Sequence, residues 1–260
     1  MSTFSSLHML MGKAPQAPVG REALVVLFDC MHHMQCMALR EEAMAVLSIV
    51  ERERALRFRH PQHRDEYVIA HAMWRLVLGE LLGVTPMDVP FASTSRGQPV
   101  LPGTGYATSL SHSGGQVALA VARTECIGVD IERSPPRNGM QDLLKVVCTP
   151  DESRALHLLP EHRRDDAMLA LWTRKEALLK AFGVGLLVPP SSLRADAGTA
   201  IPPPALAADY PPCIVRTLTL PAGWVGALAA PTTISELRMH WLPADMPART
   251  DVAPENRSRM

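Results

Sequence analysis

The chain has 260 residues, which is enough to bury a sizeable core in one large domain or in two small ones that pack together. Its 26 Lys and Arg residues balance its 26 Asp and Glu residues, so no overall charge recruits nucleic acid or a membrane surface. The start of the chain lacks a basic segment followed by an apolar stretch, and no apolar run reaches the ~18 residues of a transmembrane helix. We therefore expect a monomeric cytoplasmic protein that binds neither nucleic acid nor membrane.

The cysteines are odd in number and scattered, which fits reduced thiols better than a disulfide framework. They are Cys30, Cys36, Cys126, Cys148 and Cys213. The stretch CMHHMQC, residues 30–36, looks like a metal site, but its spacing matches neither a CxxC knuckle nor an HExxH helix. Because it directly follows a strand-like segment, we favour a reading without zinc.

The first half of the chain predicts one strand, then helices, then two short strands. We expect poor order over residues 1–20, a strand over 23–29 (ALVVLFD) and helix over 41–58, which is rich in Glu, Arg, Ala and Leu. A long, largely buried helix over 64–82 ends before Gly83. The strands YATSLS and QVALAVA follow, separated by a loop that carries His112.

The second half loosely repeats this order. IGVDIE predicts a strand over 127–132, and helices are expected near 141–146, 151–158 and 165–182. Strands are expected near 191–195, 212–220 and 224–230, before a poorly ordered tail over 243–260. We predict an α+β fold of two similar halves, residues 21–126 and 127–242, with the metal site in the second half.

SLSHSGG, residues 109–115, surrounds one histidine with hydroxyls and glycines. Small side chains leave backbone N–H groups accessible and add hydroxyl donors, as a bound phosphate requires. The same composition is also typical of an ordinary turn.

Two acidic residues follow one another on the same face of the IGVDIE strand. Because a strand has a period of two, Asp130 and Glu132 share a face while the aliphatic residues point to the core. With Gly128 leaving room beside them, two carboxylates can hold a divalent cation through oxygen ligands. The alternative is the solvated polar face of an amphipathic strand.

The predicted helix MLALWTRKEALLKAFG, residues 168–183, places Lys175 in the middle of its apolar stripe. A lysine is rarely buried without a partner, so its stem either snorkels to the surface or the ammonium meets an anion where the helix packs. Glu176 and Lys180 lie at the margin of the stripe, where the alternative is a weak surface ion pair. A phosphate-friendly segment, two carboxylates and a Lys-Glu-Lys helix together favour a magnesium-assisted reaction at a phosphate.

These motifs resemble the Sfp-type 4'-phosphopantetheinyl transferases. The likeness runs through RGQPVLP, SLSHSGGQVALAVA, IGVDIE and WTRKEALLKAFGVGL in the family's order, and is strongest over residues 94–195. It implies two similar α/β halves related by a pseudo-twofold axis, with coenzyme A in the cleft between them. It also implies magnesium-dependent transfer of the phosphopantetheine arm to a serine of an apo acyl or peptidyl carrier protein, with release of 3',5'-ADP.

The resemblance implies a role for each matching residue. Asp130, Glu132 and Glu176 match the magnesium carboxylates. The residues that match contacts to coenzyme A are Arg54, Arg57, Ser111, His112, Lys175 and Lys180. Activation of the serine hydroxyl falls to Glu176, to Glu152 in TPDESR, or to a metal-bound water, and Lys180 stabilises the developing charge.

Two positions depart from the family pattern. Gln98 stands where a lysine is usual, so one cationic contact is missing or is supplied by Arg96. Glu66 stands where an arginine is common, so Arg64 takes that role or nucleotide affinity is weaker.

Two other functions use the same residues. A magnesium-dependent phosphohydrolase or nucleotidyl transferase would need no carrier protein. A coenzyme A binding protein without turnover would not need three metal carboxylates.

Overall fold

The computed structural model describes residues 5–30, 37–136 and 139–242. The helices, in chain order, are α1 Ser5–Met11, α2 Met37–Val46, α3 Ile49–Leu56, α4 Pro61–Leu82, α5 Leu144–Val147, α6 Pro150–His157 and α7 Glu161–Ala181. The strands are β1 Glu22–Asp29, β2 Ala92–Ser93, β3 Pro99–Val100, β4 Ala107–Ser113, β5 Gln116–Ala122, β6 Gly128–Arg133, β7 Ala200–Ile201, β8 Cys213–Thr217, β9 Trp224–Pro231 and β10 Glu236–Leu242.

The first sheet has the strand order β10-β1-β5-β4. Strand β1 pairs antiparallel with β5 on one side and parallel with β10 on the other. Being central, β1 is buried along residues 23–28 and reads as a continuous apolar run. Helix α4 contributes Ile69, Met73 and Val77 to the core that it shares with β1 and β5.

The second sheet has the order β6-β9-β8-β7, and α7 packs across β6, β8 and β9. Gly128 at the start of β6 makes this packing possible, because a Cβ there would lie 2.0 Å from the carbonyl oxygen of Ala177. The expectation that Gly128 leaves room for a ligand is therefore wrong: the space admits the backbone of α7.

The two sheets are built in the same order. In each, the first strand of the half (β1 or β6) pairs with the last strand of a hairpin (β5 or β9), and a long helix comes between them in the chain. The predicted α+β class is confirmed, while the pseudo-twofold relation remains a prediction. Strand β10 crosses the expected boundary, because residues 236–242 join the first sheet beside β1.

Strands β4 and β6 are the facing edges of the two sheets, and serine hydroxyls join them. Ser109 Oγ accepts a hydrogen bond from the N–H of Val129 at 3.1 Å, and Ser111 Oγ accepts one from the N–H of Ile131 at 3.3 Å. Buried backbone N–H groups need partners, and here side chains supply them where no strand pairs. We call this contact the serine seam.

Several local expectations differ from the structure. The helix expected over 41–58 is two helices, because Ser48 forms a capping box with Glu51 and starts α3. The strand expected near 191–195 is absent from the described residues: a 3-10 turn occupies Pro190–Ser192, where proline disfavours pairing. Within the segment expected to be poorly ordered, Ser5–Met11 forms α1, which buries Leu7 and Leu10 against the first core.

SLSHSGG belongs to the end of a strand, not to a loop. His112 and Ser113 pair with β5, and the turn is Gly114-Gly115 alone, with φ of 55° and 92°. The stretch CMHHMQC beyond Cys30 and the tail 243–260 lie outside the described residues, where the zinc question and the order of the tail remain untested. Over the described parts of the chain, no helix is long and apolar enough to cross a membrane.

Candidate active site

A cleft of about 910 Å³ opens between the two halves. Its walls come from the start of α4, the turn after β4, the end of β6 and the middle of α7. The side chains that matter below are Arg40, His63, Asp65, Glu66, Ser113, Glu132, Arg133, Met140, Leu143 and Trp172.

Three carboxylates lie on β6 and α7, and one of them, Glu132, lines the cleft. Asp130 is only 4% exposed, so the alternative of a solvated polar face is wrong. Its Oδ1 accepts from Lys180 Nζ at 2.7 Å and from Ser111 Oγ at 2.8 Å. Lys180 therefore forms an ion pair with Asp130 on β6. The alternative, a weak surface pair with Glu176, is not found among the described residues. Glu132 lines the cleft and accepts from Ser113 Oγ at 2.7 Å.

The pKa values of Glu132 and Glu176 are raised. Burial raises the pKa of Glu132, and the charge of Asp130 raises it further against a hydrogen bond from Ser113. Burial likewise raises the pKa of Glu176, with the charges of Asp130 and Glu132 adding to the effect and Lys180 opposing it. The charges of three carboxylates thus interact, and the ammonium of Lys180 does not neutralise all of them.

These residues fit a divalent cation by two observations. Asp130 Oδ2 is buried and has no hydrogen-bond partner in the described part of the chain, which is costly unless something else binds it. The donor set is all oxygen and anionic, as magnesium prefers. Among the described residues, however, no three His, Cys, Asp or Glu side chains form a ready metal-binding group.

Lys175 and Glu152 lie away from these carboxylates. Lys175 is fully buried, and its ammonium donates to Glu152 Oε2 at 2.6 Å and to the carbonyls of Pro190 and Leu193 at 2.9 and 2.8 Å. The anion that the apolar stripe predicted is thus a carboxylate of the chain, and all three ammonium protons have acceptors. Contrary to expectation, Lys175 does not face the cleft.

Glu152 is committed to the same structural cluster. Its side chain also accepts from the backbone N–H of Thr149, closing the capping box of α6, and from the N–H of Ala195. The spacing Thr-Pro-Asp-Glu is a capping-box signature that predicts this position from sequence alone. Glu152 therefore has no free oxygen directed at a carrier serine.

The two residues of SLSHSGG expected to touch coenzyme A have different surroundings. Ser111 is 6% exposed and belongs to the serine seam, so the structure does not bring it to the cleft. His112 is half-buried, and its Nδ1 lies 3.0 Å from Oε1 of Glu66.

Arg96 and Gln98 contact the C-terminal end of α7 rather than the cleft. Arg96 Nε donates to the carbonyl of Gly183 at 3.0 Å. Gln98 Nε2 donates to the carbonyls of Lys180 and Ala181, and its Oε1 accepts from Tyr210. Arg96 thus binds a carbonyl left free at the helix end, and it is not among the residues that line the cleft.

Arg54 and Arg57 line a separate shallow depression with Val50, Glu53 and Phe58, so they do not join the other predicted residues. Sequence reasoning missed the cations of the cleft, Arg40, His63 and Arg133. It also treated Trp172 only as core, although this side chain lines the cleft and acts to lower the pKa of Glu132. Arg133 directly follows IGVDIE in the sequence, and this position could have indicated a cation beside the carboxylates.

Known proteins resemble this chain in the same region. Residues 126–217 match the family model described as the 4'-phosphopantetheinyl transferase superfamily. The 4'-phosphopantetheinyl transferase HetI of Nostoc sp. is 38% identical over 151 residues, which are 56% of this chain and 63% of HetI. The 4'-phosphopantetheinyl transferase Sfp of Bacillus subtilis is 27% identical over 195 residues, which are 73% of this chain and 84% of Sfp. The matches confirm the predicted resemblance: the chain is similar to the 4'-phosphopantetheinyl transferases, a class of transferases.

Proposed function

We propose that the protein transfers the 4'-phosphopantetheine arm of coenzyme A to a serine of an apo acyl or peptidyl carrier protein, with release of 3',5'-ADP. The observation that carries this proposal is the cleft between the halves, with Glu132 in its wall and Asp130 and Lys180 hydrogen-bonded behind it. The names of the relatives support the same chemistry.

Magnesium is the proposed metal, held by Asp130, Glu132 and Glu176. Bound there, it would neutralise negative charge on the phosphoryl oxygens during transfer. The buried, unpaired Oδ2 of Asp130 and the raised pKa values of the two glutamates support this assignment.

In the proposed reaction, the serine oxygen attacks the phosphorus that carries the pantetheine arm. A new P–O bond forms, the pyrophosphate P–O bond breaks, and 3',5'-ADP leaves with the bonding electrons. Glu176 takes the serine proton, since it has a raised pKa and makes no hydrogen bond to the described residues, whereas Glu152 is committed to Lys175. Lys180, 30% exposed at its side chain, supplies positive charge beside Asp130.

His112, Arg40 and Arg133 are the proposed cationic contacts for the phosphates of coenzyme A. They replace Lys175, Ser111 and Arg96 in this role, and Arg54 and Arg57 keep it only if the nucleotide reaches their depression. The monomeric state and the cytoplasmic location also stay predictions.

The test is to incubate the protein with coenzyme A, magnesium and a panel of apo carrier proteins, and to weigh the products. We expect a carrier to gain one phosphopantetheine and 3',5'-ADP to appear in equal amount. Coenzyme A cleavage without any carrier would instead indicate a phosphohydrolase. Binding of coenzyme A without product, over the whole panel, would contradict the proposal and leave a binding protein.

A further inference from the structure

Glu66 makes a contact that the proposed reaction has not used. It lies in the first turns of α4, its side chain is 11% exposed, and it forms part of the cleft wall. Its Oε1 lies 3.0 Å from Nδ1 of His112 and accepts from the N–H of Gly115 at 3.3 Å. One carboxylate oxygen therefore fixes both the histidine and the turn between β4 and β5.

The chemistry of this contact defines the histidine's orientation. A carboxylate only accepts hydrogen bonds, so Nδ1 of His112 carries the proton toward Glu66. The other ring nitrogen, Nε2, makes no hydrogen bond to the described residues. Glu66 thus holds the ring at Nδ1, and Nε2 stays available for another partner.

Glu66 is charged in this setting. Burial alone would raise its pKa, but the hydrogen bond and charge of His112, the N–H of Gly115 and the charge of His63 lower it below the ordinary value. Burial raises the pKa of Cys30, and the charge of Glu66 raises it further.

The neighbouring carboxylate serves as an internal comparison. Asp65 lies in the same cleft wall but pairs with Arg40 at 2.8 Å and with Arg64 at 3.2 Å. It makes no hydrogen bond to His112 among the described residues. A carboxylate beside a bound phosphate repels it unless the carboxylate is paired with a cation or donor. Glu66 is paired with His112, which is itself the proposed contact for the phosphate.

We propose that Glu66 is a positioning residue for His112: it holds Nδ1–H and the Gly115 turn so that Nε2 is left for the anionic co-substrate, to which Nε2 donates once the ring has bound a second proton and become the imidazolium. The inference rests on the proposed function, because it takes coenzyme A as that anion. It explains how this chain uses an acid where the resembling family commonly has arginine.

The first experiment reads the ring directly and needs no turnover. Long-range 1H–15N spectra of the full-length 15N-labelled protein report which ring nitrogen carries the proton, and His112→Gln identifies the His112 signals. We expect Nδ1 to be protonated in the parent and in Glu66→Gln, whose amide oxygen still accepts. Glu66→Ala should lose this preference, whereas Asp65→Asn, the matched control, should keep it.

The second experiment separates coenzyme A binding from turnover. We expect Glu66→Ala to raise the KM for coenzyme A roughly tenfold with little change in kcat, as the loss of a charge-assisted contact predicts. Glu66→Gln should recover most of that loss, and thermal unfolding checks that both variants fold. If Glu66→Ala is unfolded, Glu66→Gln and Glu66→Asp carry the comparison, because Asp is too short to reach His112 from the same backbone.

The outcomes distinguish this inference from the proposed function. An unchanged His112 spectrum and coenzyme A KM in Glu66→Ala would overturn the inference while transfer by the parent continued. Absence of transfer by the parent would overturn the proposed function, and the ring spectra would still decide whether Glu66 holds His112.

Discussion

At the scale of single residues, Asp130 connects the fold to the proposed chemistry. It is a buried residue of β6, and one of its oxygens accepts hydrogen bonds from Ser111 and from Lys180 of α7. The other oxygen has no partner among the described residues. We expect Asp130→Asn to abolish transfer, because the amide lacks the charge that a magnesium ligand needs, while the retained oxygen still accepts from Ser111. Mass measurement of the carrier product checks the loss.

Asp130→Asn should also lower the free energy of unfolding, and Asp130→Ala should lower it further. Removing the carboxylate altogether leaves the buried Ser111 hydroxyl without its acceptor, which costs about 1–3 kcal/mol, and leaves Lys180 with the Val129 carbonyl alone. Denaturant unfolding should therefore rank the parent above Asp130→Asn and that variant above Asp130→Ala. Transfer at the parental rate by folded Asp130→Asn would rule out the metal assignment.

Glu176 gives a pH dependence with a defined sign. Its pKa is raised in the folded protein, so ionisation of this group opposes folding. The stability that the protonated carboxyl contributes is present at low pH and is lost as the pH rises through the raised pKa. We expect Glu176→Gln to be more stable than the parent at pH 7 without metal, with the difference vanishing below the ordinary pKa of 4.5.

Magnesium should reverse that difference at neutral pH. A cation bound by the carboxylates stabilises the parent through mass action and does so less in Glu176→Gln. Melting temperatures measured with and without magnesium, with calcium as a second divalent ion, check both effects. Equal melting shifts in parent and variant would contradict a role for Glu176 as a ligand.

Lys175 is expected to matter for folding rather than for phosphate binding. Its ammonium is fully buried among Glu152 and two carbonyls, and removal of one partner of a buried pair costs about 3–5 kcal/mol. We predict that Lys175→Met lowers the free energy of unfolding by that amount. Lys145→Met, at an exposed lysine, is the matched control and should change stability by less than about 0.5 kcal/mol. A stable Lys175→Met protein with a raised KM for coenzyme A would restore the family-implied role.

At the scale of elements, the serine seam explains why SLSHSGG is polar. The alternating serines of β4 bond the N–H groups of β6, because these two edge strands meet without forming a backbone ladder. The same alternation carries Ser113 to Glu132 at the cleft. Thus hydroxyls that resemble phosphate ligands in the sequence bond one sheet to the other, beside an apolar cluster that the two sheets share.

The hairpin β2–β3 stabilises the C-terminal end of α7 through Gln98 and Arg96. We expect Gln98→Ala to cost about 1–2 kcal/mol of stability, since two helix-end carbonyls and the Tyr210 hydroxyl lose their partner. Gln98→Lys should keep most of the stability, because an ammonium is favourable at a helix C-terminus. Denaturant unfolding of the three proteins checks this order.

Coenzyme A affinity distinguishes a structural role of position 98 at the end of α7 from the nucleotide contact that the family resemblance implies. The Gln98 side chain points to the helix end, so Gln98→Lys should leave coenzyme A binding unchanged in calorimetric titration at low salt. A markedly tighter complex would mean that position 98 contacts the nucleotide after all.

At the scale of the whole molecule, the sequence predicts the elements better than the surroundings of their side chains. Periodicity places β6 and α7 correctly because burial alternates with a fixed period in strands and helices. It cannot reveal that Lys175 meets Glu152, that Arg96 meets Gly183 or that β10 joins β1, since those contacts join segments distant in the chain. The places of Asp130 and Glu132 on β6 and of Glu176 on α7 were predictable, because they are fixed positions on two regular elements, and their joint role as a metal site stays a prediction.

In the proposed reaction the carrier protein approaches the open side of the cleft, and Met140 and Leu143, before α5, line this cleft. The sequence SPPRNGMQDLLKVV, residues 134–147, offers Arg137, Met140, Leu144 and Lys145 as candidate docking residues. Of these, Arg137 lies outside the described residues, Met140 is 7% exposed and Leu144 packs against the second core. Leu143 and Val146, 41% and 58% exposed, are instead the apolar groups available beside Lys145.

We predict that Lys145→Glu raises the KM for an apo carrier about two- to fivefold, as a charge on the rim of an interface worth ~0.5–1 kcal/mol would. Val146→Ser should raise it as well, and the effect of Val146 should persist at high salt, where that of Lys145 is screened. Lys13→Glu, the same charge change at an exposed site beyond α1, is the matched control. The KM for coenzyme A is followed in parallel with that for the carrier. A carrier KM that stays at the parental value in both α5 variants, or a coenzyme A KM that rises equally, would place the docking surface on another part of the cleft rim.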